Sequence, residues 1–348
     1  LSVKNWYDFS NLNEYTLNWQ LVTDNGEVVR QGTETVDCLP HETTTLTLGK
    51  TSLPKNCKEA FLNLSWTPKQ ARPFIPITHE VAYDQFVWTV NKNYRPEYPT
   101  LKTSALKQDD NTFSNDRIGI SFSPETGAMT SYKLDGKEML STPLTISLYR
   151  PITDNDNRDR NGARLWKTAG LNTLNQQAKA FRAEKNSVQT TLALLNGKGE
   201  TVGTATQHYQ LTPDGTVKIA TSFTPDTAIV KSLARIGLTF EMPSEYTQVS
   251  YLGRTGETYA DRIQSGRMFH YYVKPQSTGN RTDMRWATIT NEAGNGLHVT
   301  AATPWQFSIV PFTDSNIDAS THINQLKRSG TVTVHLDAEQ AGVGTATC

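Results

Sequence analysis

"YTLNWQLVTDNGEVVRQGT", residues 15–33, decides the fold. Leu17, Trp19 and Leu21 recur at period two, so an extended chain turns all three to one face. Asp24-Asn25-Gly26 follows, residues that tolerate positive φ, and a second run begins at Val28. The stretch predicts a β-hairpin with one apolar face. Further along, "TTTLTLG" (43–49) and "EAFLNLSWTPK" (59–69) alternate in the same way. In "HEVAYDQFVWTV" (79–90), Val81, Tyr83, Gln85 and Val87 fall on one side, with Ala82, Phe86 and Trp88 on the other. About five to seven short strands in this region predict a β-sandwich of immunoglobulin type.

Residues 91–111, "NKNYRPEYPTLKTSALKQDDN", carry two prolines and no periodicity and read as a linker, placed at 99–111. Beyond it, "RIGISFSPETGAMTSYKLDGKEML" (117–140) gives strands around an Asp135-Gly136 turn, and "TATQHYQLTPDGTVKIATSF" (204–223) repeats the arrangement around Pro213-Asp214-Gly215. "SLARIGLTFEM" (232–242) and "MRWATITN" (284–291) add more. Residues 112–348 therefore read as a second all-β domain, too large for a seven-stranded sandwich and better suited to a large two-sheet one. Only 171–184, "LNTLNQQAKAFRAE", reads as helix, and Asn interrupts its apolar stripe. No fixed period marks a propeller or solenoid.

Of the 348 residues, Lys plus Arg and Asp plus Glu number 34 each, so no net field recruits nucleic acid or an anionic membrane. A neutral partner such as a sugar fits better. No apolar run approaches the ~20 residues of a spanning helix, and the first residues lack a signal-peptide pattern. Cys38, Cys57 and Cys348 are too few and too irregular for a zinc site or disulfide framework. Cys38 and Cys57 bridged across a hairpin, or left as two thiols, are equally compatible with the sequence.

"LYRPITDNDNRDRNGARLW" (148–166) concentrates three Asp, three Asn and four Arg, which invites a test as a cation site. An EF-hand needs Gly at the sixth position and Glu at the twelfth; counted from Asp154, these are Asp159 and Leu165, so the motif fails. The reading favoured by spacing is a solvated turn loop in which Asp154, Asn155 and Asp156 bond their own backbone while Arg158, Arg160 and Arg164 offset the charge. In "YLGRTGETYADR" (251–262), Glu257 and Asp261 raise carboxylate-pair catalysis, with Arg254 and Arg262 as simpler salt-bridge partners. Arg281 and Asp283 share a face if their segment is extended, and read as a structural pair. The seven histidines show no metal-ligand spacing, and there is no phosphate loop, GxSxG elbow or Cys–His nucleophile. The motifs assign this chain no catalytic residue and no metal ligand of its own.

In sequence order, "LYRPITDNDNR", "RLWKTAGL", "YLGRTGETYADR", "YVKPQSTGNRTDMRW", "GNGLHV", "WQFSIVPFT" with "THINQL", and "HLDAEQAGVGTATC" closely resemble the C-terminal domain of the large bacterial β-galactosidases of glycoside hydrolase family 2. "YTLNWQLVTDNGEVVRQG", "AFLNLSWTPK" and "HEVAYDQFVW" resemble the domain before it. The resemblance implies an all-β fold: an immunoglobulin-like sandwich at 1–98, then a large galactose-mutarotase-like β-sandwich, or supersandwich, at 112–348. It also implies that the catalytic glutamates, and any Mg2+ and Na+, belong to an upstream TIM barrel of the same polypeptide. This fragment alone is then expected to be inactive and without a cofactor. Its partners would be that barrel, a β-galactoside and, in the parent enzyme, further subunits, with no nucleic acid and no membrane. The resemblance leaves open a cytoplasmic or periplasmic bacterial setting.

By the resemblance, Asp154, Asn155, Asp156 and Arg158 are the substrate-binding positions carried over, the first three leading into the family's active-site-mouth loop, here roughly Asn157 to Leu165. Its C-terminal "GIGGDDSW", whose Trp stacks on sugar, is replaced here by Gly342-Val343-Gly344-Thr345-Ala346-Thr347-Cys348. That departure leads us to expect a truncated chain with a less protected C-terminal edge. Two rival readings are a stand-alone galactoside-binding module, with Trp166, Trp286 or Trp305 as platform, and an aldose 1-epimerase using His208, His270 and Glu257. The tryptophans sit in strand-like contexts that favour the core, and no spacing supports the epimerase set.

Overall fold

The computed structural model describes residues 1–49, 51–52, 54–91, 98, 100–157, 162–275 and 279–344. The chain divides into two compact units, Leu1–Tyr98 with Arg267–His270, and Pro99–Gly266 with Tyr271–Cys348.

In the first unit, strands run at Ser2–Lys4 (β1), Tyr15–Thr23 (β2), Val28–Glu34 (β3), Thr43–Thr45 (β4), Glu59–Pro68 (β5) and Ala82–Val90 (β6). They form a four-stranded antiparallel sheet ordered β3-β2-β5-β6 and a two-stranded one, β1-β4. The opening hairpin is β2–β3. Gly26 takes φ 86 and donates its N–H to the Thr23 carbonyl at 3.0 Å. Leu17, Trp19 and Leu21 enter the core with Leu62 and Leu64 of β5, and Val3 of β1 packs against them from the smaller sheet. Alternation thus becomes a sandwich, each filled apolar position contributing about 1.5–3 kcal/mol. Cys38 and Cys57 are separate buried thiols, so the bridge is not formed; burial, then the Asp24 and Glu27 carboxylates, push the Cys57 thiol up.

The second unit opens with Lys107–Asp109 (β7), Thr112–Ser114 (β8), Ile118–Phe122 (β9), Met129–Leu134 (β10), Lys137–Glu138 (β11) and Thr145–Ser147 (β12). After helix α1, Gly162–Thr168, come Asn175–Glu184 (β13), Ser187–Leu195 (β14), Thr201–Leu211 (β15), Val217–Pro225 (β16), Arg235–Pro243 (β17), Gln248–Arg254 (β18), Met268–Val273 (β19), Arg281–Thr290 (β20) and Gly296–Val310 (β21). Helix α2, Asp314–Ala319, and strand β22, Thr331–Gln340, complete the order. Three sheets result: β11-β10-β9-β8-β7, β13-β14-β15-β16 and β12-β17-β22-β21-β20-β18-β19. One apolar cluster joins them: Ile120 and Phe122 from the first, Val188 and Tyr209 from the second, Phe307 and Val334 from the third. The chain is all-β, as its alternation predicts.

Two expectations fail. Residues 171–184 are a 3-10 turn, Leu171–Thr173, followed by strand β13. Nine of the ten residues of β13 pair with β14, so ladder formation at a sheet edge overrides the helix-forming Gln, Ala, Lys and Arg side chains. Part of the 99–111 linker is structured as well: Leu101 and Leu106 pack against the large core, and β7 forms at 107–109.

Candidate functional site

The site is built from the loop that leaves β12. Arg150 grips Asp156 with both ends of its guanidinium, Nη1 to Oδ2 at 2.7 Å and Nη2 to Oδ1 at 2.9 Å, and both side chains are buried. Asp156 Oδ2 also accepts from the Thr153 N–H at 2.7 Å and its hydroxyl at 2.8 Å. The seven residues are thereby tied into a closed loop. Its carbonyl at Asp156 accepts the Ala163 N–H, setting the start of α1. The guanidinium lies 5.2 Å from the centre of the Trp166 ring, a cation–π arrangement away from water. Trp166 is fully buried and donates its indole N–H to Ser232 Oγ, while a Cβ at Gly162 would come within 2.3 Å of its ring.

Asp156 bonds local backbone as the turn-loop reading expects, but it is buried instead of solvated and its cation is Arg150; Arg164 is exposed, and Arg158 and Arg160 lie outside the described residues. The mapped residues separate by exposure. Asp154 faces solvent, Asn155 is half-buried and Asp156 is inside. Asn155 Nδ2 donates to the Val343 carbonyl at 2.8 Å.

That bond begins a convergence of segments far apart in sequence. Arg150 Nη2 also donates to the Gly342 carbonyl at 2.9 Å. From the other side, Asp261 accepts the N–H groups of Val343 at 3.1 Å and Gly344 at 2.9 Å. Residues 342–344 are held through their backbone by two loops. Burial pushes the Asp261 carboxyl up, but the Val343 N–H, Arg262 and the Gly344 N–H outweigh it and hold it below its ordinary value. A carboxylate so engaged serves as an anchor, and Arg262 lies 3.3 Å from it, the simpler salt-bridge partner that the sequence offered. Glu257 is exposed.

The 251–266 loop is fixed from beneath. Thr258 exchanges backbone and side-chain bonds with Asn280 and Thr282, and Asn280 donates to Gln306 Oε1 at 2.6 Å. The Tyr259 phenol is raised by burial and by the Glu257 carboxylate, against the lowering pull of Arg150 and Arg235. The extended pairing of Arg281 with Asp283 is also corrected. Asp283 sits at φ 55 where the register of β20 shifts, and it pairs with Arg254 Nε at 2.5 Å; Arg281 bonds the Tyr251 hydroxyl instead.

Behind the loops, the seven-stranded sheet presents a buried polar stripe. Arg235 Nε lies 3.4 Å from Asp337 Oδ2, and His335 Nε2 lies 3.1 Å from Asp314 Oδ1. A Cβ at Gly237 would come within 2.1 Å of Asp337 Oδ1, so glycine makes room for the carboxyl. Burial pushes Asp337 up, and Arg235 and His335 do not fully offset it. For Asp314 the same burial is outweighed by His335 and Arg235, which hold it low. Asp318, one turn along α2, accepts the Ile152 N–H at 3.2 Å, so the stripe is linked to the 150–156 loop through a short helix.

Trp166 and Trp305 are core residues, and half-buried Trp286 packs its ring 5.8 Å from His298, so none of the three is an open platform. His208 bonds Ser187 Oγ, and His270 faces the Asp24 carbonyl. Among the described residues, no group of three or more His, Cys, Asp or Glu is gathered at one place. The arrangement orients loops. Sequence reasoning missed Arg150, Arg235 and His335; the available signal was Thr153 three residues before Asp156, a hydroxyl and carboxylate at turn spacing.

Residues 114–348 match the family described as "Beta galactosidase small chain", and residues 1–89 match "Beta-galactosidase, domain 4". A β-galactosidase of Priestia megaterium is 28% identical over 99% of this chain and 34% of its own length. One from Actinobacillus pleuropneumoniae is 24% identical over 99% of this chain and 35% of its own length. Beta-galactosidase BgaC of Bifidobacterium adolescentis is 28% identical over 64% of this chain. The chain spans about a third of the length of the first two relatives. With two thirds of its residues inside one family match and most of the rest inside a second, the chain belongs to the β-galactosidase family, as its domain 4 and small-chain portions.

Proposed function

We propose that this chain is the non-catalytic portion of a bacterial glycoside hydrolase family 2 β-galactosidase that acts on terminal β-D-galactosides. In this reading it frames the active-site mouth and contributes subunit contacts, while an upstream TIM barrel supplies the acid/base and nucleophile glutamates together with Mg2+ and Na+. Domains at 1–98 and 112–348, an immunoglobulin-like sandwich and a mutarotase-like one, carry the two roles. The observation that carries the proposal is the clamp on residues 342–344. Arg150 and Asn155 hold it from one loop and Asp261 from another, leaving Asp154 exposed at the rim. Loops fixed on a rigid sandwich are where binding residues reside. Asp154 and Asn155 would meet substrate with Arg158, and buried Asp156 would position them.

The test is hydrolysis of a chromogenic aryl β-galactoside by this chain alone and by the chain joined to a β-galactosidase upstream region. Turnover only in the joined protein is expected. Turnover by the isolated chain overturns the proposal and directs mutagenesis to Glu257.

A further inference from the structure

An aromatic face in the first unit lies outside the site above. Asn5 is fully buried; its amide donates to the carbonyls of Ser10 and Cys38 at 2.9 Å each, and its Oδ1 accepts the Tyr7 N–H at 2.9 Å. One asparagine thus closes residues 5–10 into a loop. The loop turns Trp6 and Phe9 outward, 75% and 97% exposed. Its Tyr7 stacks on Tyr15 at 5.4 Å, and the Arg72 guanidinium lies 5.6 Å from the same Tyr15 ring. Arg72 and Ile75 exchange both backbone hydrogen bonds, closing a second tight loop with Phe74 at its tip. Phe74 has φ 66 and a fully exposed ring. A bulky residue held in that left-handed region is strained, and such strain clusters at ligand clamps and other functional sites.

We propose that Trp6, Phe9 and Phe74 form a docking face for another domain of the same β-galactosidase. The inference rests on the family membership, not on the proposed role of the 150–156 loop. Charges of both signs ring the face: Lys4 lies 3.8 Å over the Trp6 ring, His41 lies 3.0 Å from Asp8, and Arg72 pairs with Glu14. A rim of mixed sign does not complement a polyanion or an anionic membrane, and it suits a protein surface with an apolar centre. A sugar is disfavoured for two reasons. Lys4 occupies one face of Trp6, and the amides of Asn11 and Asn13 are both engaged by Asp37. The occupant is then an internal one. Residues 1–89 match a domain numbered four, and the matched relatives are about three times as long as this chain.

The test is hydroxyl-radical footprinting read by mass spectrometry at Trp6, Phe9 and Phe74, with buried Phe113 as reference. It compares the 348-residue chain with the chain joined to a β-galactosidase upstream region. The three residues are expected to label heavily in the chain and about tenfold less in the joined protein, as water is excluded from a packed interface. Equal labelling in both overturns the proposal. Protection in the isolated chain that rises with its own concentration would assign the face to a second copy, and protection by added lactose would assign it to sugar; either overturns it too. As a second measurement, W6S/F9S in the joined protein should split one thermal transition into two; a single unchanged transition counts against the docking face. Footprint protection without galactosidase turnover would leave this inference standing while the proposed function fails.

Discussion

Where β21 and β22 pair, the two faces of the seven-stranded sheet are both buried, yet they are chemical opposites. On β21 and β22, Trp305, Phe307, Ile309, Val332 and Val334 point into the large apolar core. The residues between them, Gln306, Ser308, Thr333, His335 and Asp337, are also buried and polar. The comparison separates two tasks. The apolar face supplies non-directional stabilisation proportional to area. The polar face supplies direction, because a buried hydrogen bond or ion pair is satisfied in only one geometry. Loops that must hold a fixed position are linked to the polar side.

The largest expected effect tests the apolar face. Phe307→Ala should destabilise the chain by about 4 kcal/mol in urea unfolding, through lost burial and the cavity left behind; a cost under half of that would mean that the core is not tightly packed there. On the polar side, Asp156→Ala should cost about 3 kcal/mol by stranding the Arg150 guanidinium. Replacing both partners, Arg150→Met with Asp156→Leu, should recover much of that stability while releasing residues 342–344 to hydrogen exchange. If exchange stays slow in the double variant, the pair does not act as a clamp.

Asp261→Asn should have a smaller effect, about 1 kcal/mol at neutral pH, because the group is partly solvated. Since the folded carboxyl is held below its unfolded value, its contribution is present at neutral pH and is lost as pH falls through the folded value. Wild type and variant should therefore converge in acid. Asp337 has the opposite sign: its folded value is raised, so wild type loses stability as pH climbs from the unfolded value through the folded one. Asp337→Asn should flatten that slope and gain on wild type with rising pH. A parallel pH dependence of the two proteins would show that Asp337 is not the source of the slope.

Much of the apolar half was legible from the chain. Alternation around Leu17, Trp19 and Leu21, with a glycine where φ turns positive, led directly to the first sandwich. Strand β13 was misread because an edge strand exposes every second residue to water; its Gln, Lys, Arg and Glu then look helical, and Leu171, Leu174, Ala178 and Phe181 fit a helical stripe as well as a strand. Helix α1 was missed because it is a short segment whose buried residues, Gly162, Ala163 and Trp166, include only one large apolar side chain. The polar half was harder to read. Nothing local marks Arg150 as buried, because its burial depends on Trp166 below it and on Gly342, 192 residues away, beside it. The left-handed Asp283 likewise follows from a shift in register with β21, which no spacing rule within residues 281–283 records.

The clamp on residues 342–344 touches main-chain carbonyls and amides, groups that nearly every amino acid carries. Identity at those positions can therefore drift while the grip persists, with proline the exception at 343 and 344 because it lacks the required N–H. Side chains can change at these positions while the loops stay in place. Divergence there becomes a route to new selectivity at constant architecture, and saturation libraries at Gly344 offer a place to begin redesign.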